Sequence, residues 1–259
     1  MGRVLLISSQ VAASRVGASA GAFVLQRMGH EVVVLPTVLL GRHPGWGAPG
    51  GGAVEAERLS SMWEGVAAQG LRFDAVMTGY FASAAQVELA EMILGSIGAE
   101  LCLVDPVIGD SDSGIYVRED VAEAIGERLV PRADIITPNQ WEHDWLTRES
   151  PLPRGVAELI TSYALGESIG ALYRSGATEM VVSHERFAEV PHGGGDTLAA
   201  LWLANALRGV EPEANLARSV GSVLGILRAA VDADAGELPL VREQARLLAP
   251  EELEVKHVG

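Results

Sequence analysis

Cysteine and lysine are almost missing from this chain of 259 residues: Cys102 is the only thiol and Lys256 the only lysine. One thiol makes neither an internal disulfide nor a thiolate zinc cluster, which fits a reducing compartment and predicts a cytoplasmic protein. A lysine so close to the carboxyl end excludes a P-loop phosphate lysine, a lysine of the protein-kinase type and an internal Schiff-base lysine. Any phosphate chemistry must then rest on backbone amides, arginine or metal. Bases are also scarce, 19 against 34 acids, for a net charge of −15. That balance argues against a nucleic-acid partner, which needs a positive surface to displace phosphate counterions. Long apolar runs are absent too. The longest, Val32 to Leu40, is broken by Pro36 and Thr37, far short of the ~20 residues of a membrane span. After Arg3 the apolar Val4-Leu5-Leu6-Ile7 stops at Ser8, short of the ~7–15 residues of a signal core, and reads better as a first strand.

Short apolar runs recur at Val4–Ser8, Glu31–Pro36, Ala75–Thr78, Leu101–Val104, Asp134–Thr137 and Glu179–Ser183. The stretches between them carry helical periodicity: Ala18–Met28, Val54–Gln69, Ala84–Ile97, Asp120–Leu129, Gln140–Thr147, Val156–Arg174, Asp196–Leu207, Glu213–Val231 and Leu238–Leu248. Alternation of this kind predicts an α/β fold of three layers, a mainly parallel central sheet with helices on both faces. No linker or repeat divides it, so residues 1–259 read as a single domain. A glycine-rich connection, Gly41 to Gly52, is long enough to cover a site.

Three stretches carry chemistry. In His192-Gly193-Gly194-Gly195-Asp196-Thr197 a glycine turn runs into a helix. Glycines let successive amide N–H groups converge on one point at a helix N-terminus, an anion hole. Asp196 reads equally as an ordinary N-cap of that helix. Asp105-Pro106-Val107-Ile108-Gly109-Asp110 puts two carboxylates past the carboxyl end of a buried strand, where open α/β sheets bind ligands, although Asp-Pro is also a common turn device. In Thr137-Pro138-Asn139-Gln140-Trp141-Glu142, Asn139 and Glu142 share one face of a first helical turn, open to a ligand or to each other as a capping box.

In this order, the three stretches resemble the pyridoxal kinase branch of the ribokinase-like superfamily. Also similar are Ile7-Ser8-Ser9-Gln10-Val11 with Gly17, Thr37-Val38 with His43-Pro44-Gly45-Trp46-Gly47, Thr78-Gly79-Tyr80, and the run from Ala133 to Gln140. The resemblance spans nearly the whole chain. It implies an ATP-dependent transferase that phosphorylates the 5′-hydroxymethyl group of pyridoxal, pyridoxine or pyridoxamine in vitamin B6 salvage, usually as a homodimer. It assigns Asp196 as the base and Gly193, Gly194 and Gly195 as the amides facing the phosphoryl oxygens. Asp105, Asp110 and Glu142 would arrange Mg²⁺, with room for a monovalent cation such as K⁺. Asp105, Asp110, Thr137, Asn139, Glu142 and Ser183 would line the ATP side. Ser9, Thr37, His43, Pro44, Gly45, Trp46 and Tyr80, with Asp196, would surround the vitamin.

The pattern also departs from the family. Gln10 stands where histidine is usual, Ala18 where asparagine is usual and Pro44 where threonine is frequent. Only the nine residues His184 to His192 join Ser183 to Gly193, too few for the strand pair and nucleotide cover that relatives insert there. Two alternatives follow: a hydroxymethylpyrimidine-type kinase, and a non-catalytic B6-binding relative that has lost its nucleotide lid.

Overall fold

The computed structural model describes residues 1–258. The chain runs β1 (Arg3–Val11), α1 (Ala18–Arg27), β2 (Glu31–Leu40), β3 (Gly51–Ala53), α2 (Ala56–Ala67), β4 (Ala75–Thr78), α3 (Ala84–Ile97) and β5 (Leu101–Val104). It continues through a small hairpin, β6 (Gly109–Asp110) and β7 (Gly114–Ile115), to α4 (Glu119–Ala124), β8 (Ile135–Ile136) and α5 (Gln140–Leu146). Then come β9 (Ala157–Leu165), β10 (Ser168–Ser175), β11 (Thr178–His184), α6 (Gly194–Ala206), α7 (Pro212–Asp232) and β12 (Lys256–His257).

Ten strands form one sheet in the order β12-β11-β10-β9-β8-β5-β4-β1-β2-β3. The run from β9 to β2 is parallel, and β10, β11, β12 and β3 add antiparallel edges. The central strands are buried on both faces, so they read as continuous apolar runs without alternation. One core packs β1 residues Val4 and Leu6 against α1, α6 and α7, with the Tyr173 and Trp202 rings stacked at 5.1 Å. The other packs Leu5 and Ile7 against α2, α3 and α4. Successive β1 side chains thus feed opposite layers, as the strand period of two requires. The expected three-layer architecture is present. After α4 the helix widens into a π-type turn, Ile125–Leu129, and then a 3₁₀ turn. Pro131 has no N–H to give and its ring crowds the preceding turn.

Two expected helices are not helices. Val156–Arg174 forms β9 and β10, a hairpin turning at Gly166, whose φ is +64°. Apolar residues at 156, 159, 160 and 163 imitate a helical face, but β9 pairs with β8 and β10 with β11, and ladder pairing overrides local periodicity. Leu238–Leu248 is irregular apart from a 3₁₀ turn at Gln244–Leu247. Pro239, just inside the segment, disfavours a helix there.

Candidate active site

The carboxyl ends of β1, β4, β5 and β8 open on one rim, and the N-termini of α1 and α6 meet them there. At the start of α6 the N-cap residue is Gly193, left-handed with φ +96°. A Cβ on it would lie 2.6 Å from the carbonyl oxygen of Arg15, so both backbone angle and space demand glycine. Among the described residues, the N–H groups of Gly193, Gly194 and Gly195 have no protein acceptor, while Thr197 N–H closes the first turn on the Gly193 carbonyl. Cβ atoms on Gly194 or Gly195 would meet nothing within 4 Å. The bend therefore has room on the Cβ sides of Gly194 and Gly195 and free donors at the positive end of a helix dipole, the elements of an anion site.

Asp196 is not the N-cap. It sits in the first turn of α6, half-buried, where the Gly17 N–H and its own N–H favour the charged carboxylate. Gly17 is the N-cap residue of α1, with φ +56°, and a Cβ there would fall 2.0 Å from Ser9 Oγ. The starts of α1 and α6 thus meet at this carboxylate, with Ser9 packed against Gly17. Burial raises the Asp196 carboxyl above its usual range, and the two N–H donors offset this in part. Such a shift moves an acid toward the working range of a general base.

Asp105 follows β5, buried, and its Oδ1 accepts from Thr137 Oγ1 at 3.0 Å. Burial first, then the charges of Asp196 and Glu142, push its carboxyl well above the ordinary value. Adjacent acids of this kind call for a cation or a shared proton. Tyr116, just past β7, was not anticipated. Its phenol is pushed upward by burial and by the charges of Glu142, Asp105, Asp110 and Asp196. A tyrosine in a turn carries no motif, and only the fold of the β6–β7 hairpin places it among these acids.

Glu142 and Asp110 also accept from the backbone around them. Glu142 Oε1 accepts from Ile108 and Gly109 N–H at 2.8 and 3.2 Å, and Oε2 accepts from Asn139 N–H at 2.9 Å. Asn139 Oδ1 accepts from Glu142 N–H at 2.9 Å, completing a capping box, while its Nδ2 donates to the Gly109 carbonyl at 2.7 Å. Burial pushes Glu142 up to about 7 against the pull of these three donors. Asp110 Oδ1 accepts from Asp112 and Ser113 N–H and shapes the hairpin turn. Among the described residues, no three His, Cys, Asp or Glu side chains form a ready metal cluster. Glu142 and Asn139 thus hold the 106–110 segment, and the Asp105 carboxylate lies within reach of the charges of Asp196 and Glu142.

On the acceptor side, β2 and β3 form a flap, pairing Val38 with Ala53, Leu39 with Gly52 and Leu40 with Gly51. Its root is fixed by Gln86, whose Nε2 donates to the carbonyls of Thr37 and Val54 at 2.8 and 2.6 Å. Thr37 Oγ1 donates to the Tyr80 carbonyl at 2.6 Å, and Tyr80 N–H donates to Ser8 Oγ. Burial raises the Tyr80 phenol. The flap tip carries His43, a 3₁₀ turn over Pro44, Gly45 and Trp46, and ends beside the bend, with His43 stacked on His192 at 4.3 Å. The structure thus brings His43, Pro44, Gly45 and Trp46 to the glycine turn. Gln86 was missed because a buried glutamine inside a helix has no sequence signature.

Ser183 stays apart. It is exposed on β11, opposite Gly170 in β10, and no hydrogen bond links it to the carboxylates among the described residues. Beyond it the short connection has no strand. Glu185 there takes a paired ion contact from Arg228 of α7 at 2.8 and 3.0 Å, and Arg186 is exposed. A cavity of about 390 Å³ lined by Cys102, Arg132 and Asp134 lies at the other, amino-terminal end of the strands, away from this rim.

Comparison with known proteins agrees with this arrangement. A family model described as phosphomethylpyrimidine kinase matches residues 52–241. The pyridoxal kinase PdxY of Rubrobacter xylanophilus is 33% identical over 276 residues, covering 95% of this chain and 94% of the relative. That of Corynebacterium diphtheriae is 29% identical over 292 residues, 99% of each chain. Both alignments are longer than this chain, so the relatives carry residues that it lacks. Among solved structures, pyridoxal kinase from Entamoeba histolytica superposes with TM-score 0.91 at 25% identity over 100% of both chains. The Leishmania donovani enzyme in complex with ADP and pyridoxamine reaches TM-score 0.91 at 24% identity over 100% of both chains, a likeness of fold. By sequence family, by curated relatives along almost its full length and by fold, this chain belongs to the pyridoxal kinases of the ribokinase-like superfamily.

Proposed function

We propose that this protein transfers the γ-phosphoryl group of ATP to the 5′-hydroxymethyl group of pyridoxal, with pyridoxine and pyridoxamine as related acceptors. The observation that carries this reading is the bend itself: unpaired N–H groups at Gly193, Gly194 and Gly195 at a helix N-terminus, with Asp196 one residue further on. Phosphoryl transfer asks a protein mainly for positioning and for fixed positive potential where charge lies on the equatorial oxygens. A chain with one lysine supplies that from its backbone.

In this mechanism Asp196 accepts the proton of the acceptor hydroxyl, and the hydroxyl oxygen forms a bond to the γ-phosphorus. The bond to the β,γ-bridging oxygen breaks and ADP leaves. The Gly193–Gly195 amides hold the moving group. Gly17 N–H keeps Asp196 oriented, and Ser9, Thr37, Tyr80 and the flap enclose the aromatic acceptor. Mg²⁺ fits the buried Asp105 carboxylate, raised by neighbouring acids and backed by Thr137, since this ion keeps most of its ligands as water and phosphate oxygens. When bound it neutralises phosphate charge; Asp110, Asn139 and Glu142 shape the wall around it. We carry Ser183 beside the nucleotide, the homodimer and the cytoplasmic location as parts of the same proposal. Among the described residues, no helix is long and apolar enough to cross a membrane.

A coupled assay with the three vitamers tests the reading. Turnover of pyridoxal supports it, and no product from folded protein with any vitamer overturns it. The second reading, a hydroxymethylpyrimidine acceptor, is favoured by the family model's own description. It predicts that this pyrimidine outcompetes pyridoxal in the same panel.

A further inference from the structure

The flap tip does not rest on the core. It rests on His192, the residue immediately before the glycine bend. The His43 and His192 rings lie 4.3 Å apart at 36°, and Trp46 stands edge-on to His192 at 6.4 Å and 65°. Gly45 fits so closely that a Cβ on it would lie 3.2 Å from His192 Nε2. Trp46 also covers Gly236, where a Cβ would meet the indole at 3.2 Å. His192 itself is held by its backbone: its N–H donates to the Gly236 carbonyl and its carbonyl accepts from Leu238 N–H, both at 3.0 Å. Its imidazole makes no hydrogen bond among the described residues and is presented to the flap from a fixed base.

We propose that His192 is a positioning residue that clamps the flap tip, through His43 and Trp46, over the Gly193–Asp196 bend, and so sets the affinity for the aromatic acceptor. The proposal rests on the assignment of the flap to the acceptor side given above. A ring pair of this kind is directional, so the clamp fixes where the Trp46 indole stands as well as whether the flap is down. Because the clamp base and the anion site share one backbone segment, flap closure and phosphoryl positioning use one reference frame.

The charged group facing the pair is Glu237 beyond the bend, which accepts from the main-chain N–H of Arg15 at 3.1 Å; Arg42 on the flap turns to the Ala48 carbonyl. Burial first, then the adjacent His192, hold His43 below the ordinary imidazole range, with Glu237 opposing. A group with a lowered folded value keeps its contribution above its unfolded value and loses it on acidification. The clamp therefore holds at neutral pH and loosens as pH falls below about 6.5.

The test uses His192→Ala and His192→Phe in the full chain. His192→Ala is expected to raise KM for pyridoxal about three- to tenfold, the size of one lost aromatic pair, with kcat and KM for ATP within twofold of the parent. It also increases acrylamide quenching of Trp46, read as the difference from matched Trp46→Phe proteins. His192→Phe keeps the ring, restores KM at neutral pH to within twofold and, since burial still lowers His43, leaves a smaller rise in KM below pH 6.5. Parallel losses in kcat and both KM values, or a Phe variant as poor as the Ala variant, overturn the proposal. Unchanged Trp46 quenching in His192→Ala overturns it even if no vitamer is phosphorylated. A parent that turns over no vitamer, yet shows the quenching difference, refutes only the kinase reading.

Discussion

Asp196→Asn separates activity from stability, because the structure gives the carboxylate opposite effects on the two. Asn keeps the size of the side chain and an oxygen to set against the Gly17 N–H, so the bend keeps its shape. What is lost is the ability to take a proton. General-base assistance is worth about 10²–10⁴ in rate, about 2.7–5.4 kcal/mol at 1.36 kcal/mol per tenfold. Stability moves the other way. Burial raises the Asp196 carboxyl, and Asp105 is raised in turn partly by the charge on Asp196. An acid whose folded value lies above its unfolded one weakens the fold as pH climbs between the two, and below the unfolded value the penalty vanishes. Asp196→Asn should thus be more stable than the parent at pH 8, by about 1 kcal/mol or about 2–4 °C in Tm. The gain should fade on acidification below the ordinary aspartate range. Steady-state turnover with pyridoxal, ATP titration calorimetry and melting at pH 8 and pH 4 read all three terms. A kcat within tenfold of the parent refutes the assignment of the base. A variant that melts lower at pH 8 refutes the electrostatic argument.

Four further variants follow from the same geometry. Gly193→Ala forces a left-handed residue against the Arg15 carbonyl and should cost about 2–4 kcal/mol by chemical denaturation. Gly195→Ala, with nothing within 4 Å, should keep or slightly raise stability while kcat falls at least tenfold; equal stability losses in the two would mean that the bend is not open. Glu142→Gln puts an amide NH₂ against N–H donors of Ile108, Gly109 or Asn139 and should lower stability by about 2 kcal/mol, seen as a Tm lower by about 4–8 °C. Because Glu142 is raised to about 7, the parent's advantage over this variant should shrink as pH rises from about 4.5 to 7. Gln86→Leu frees the carbonyls of Thr37 and Val54 and should raise KM for the acceptor more than KM for ATP.

What the sequence discloses here is what depends on local chemistry. The parallel strands are legible because strands buried on both faces become unbroken apolar runs, and α3 falls at Ala84–Ile97 as its periodicity predicts. The bend is legible because three glycines let successive amides converge at a helix start, though the sequence leaves Asp196 open as base or N-cap and the structure makes Gly193 the N-cap. The β9–β10 hairpin is not, since its spacing obeys a helical period and only pairing with β8 and β11 decides otherwise. For Asn139 and Glu142 the sequence leaves ligand and capping box open, and the structure shows the capping box. Tyr116, Gln86 and His192 are not legible in the sequence because their positions come from distant segments folding together: a hairpin turned toward buried acids, a helix anchoring a flap, and a ring caught under its tip.

A crystal structure with ADP, aluminium fluoride and pyridoxal tests the central claim most directly. The account predicts the fluoride plane within hydrogen-bonding distance of the Gly193, Gly194 and Gly195 N–H groups, with the acceptor hydroxyl between aluminium and Asp196. A fluoride group bound elsewhere on the rim, or the bend amides turned away from it, would contradict the account.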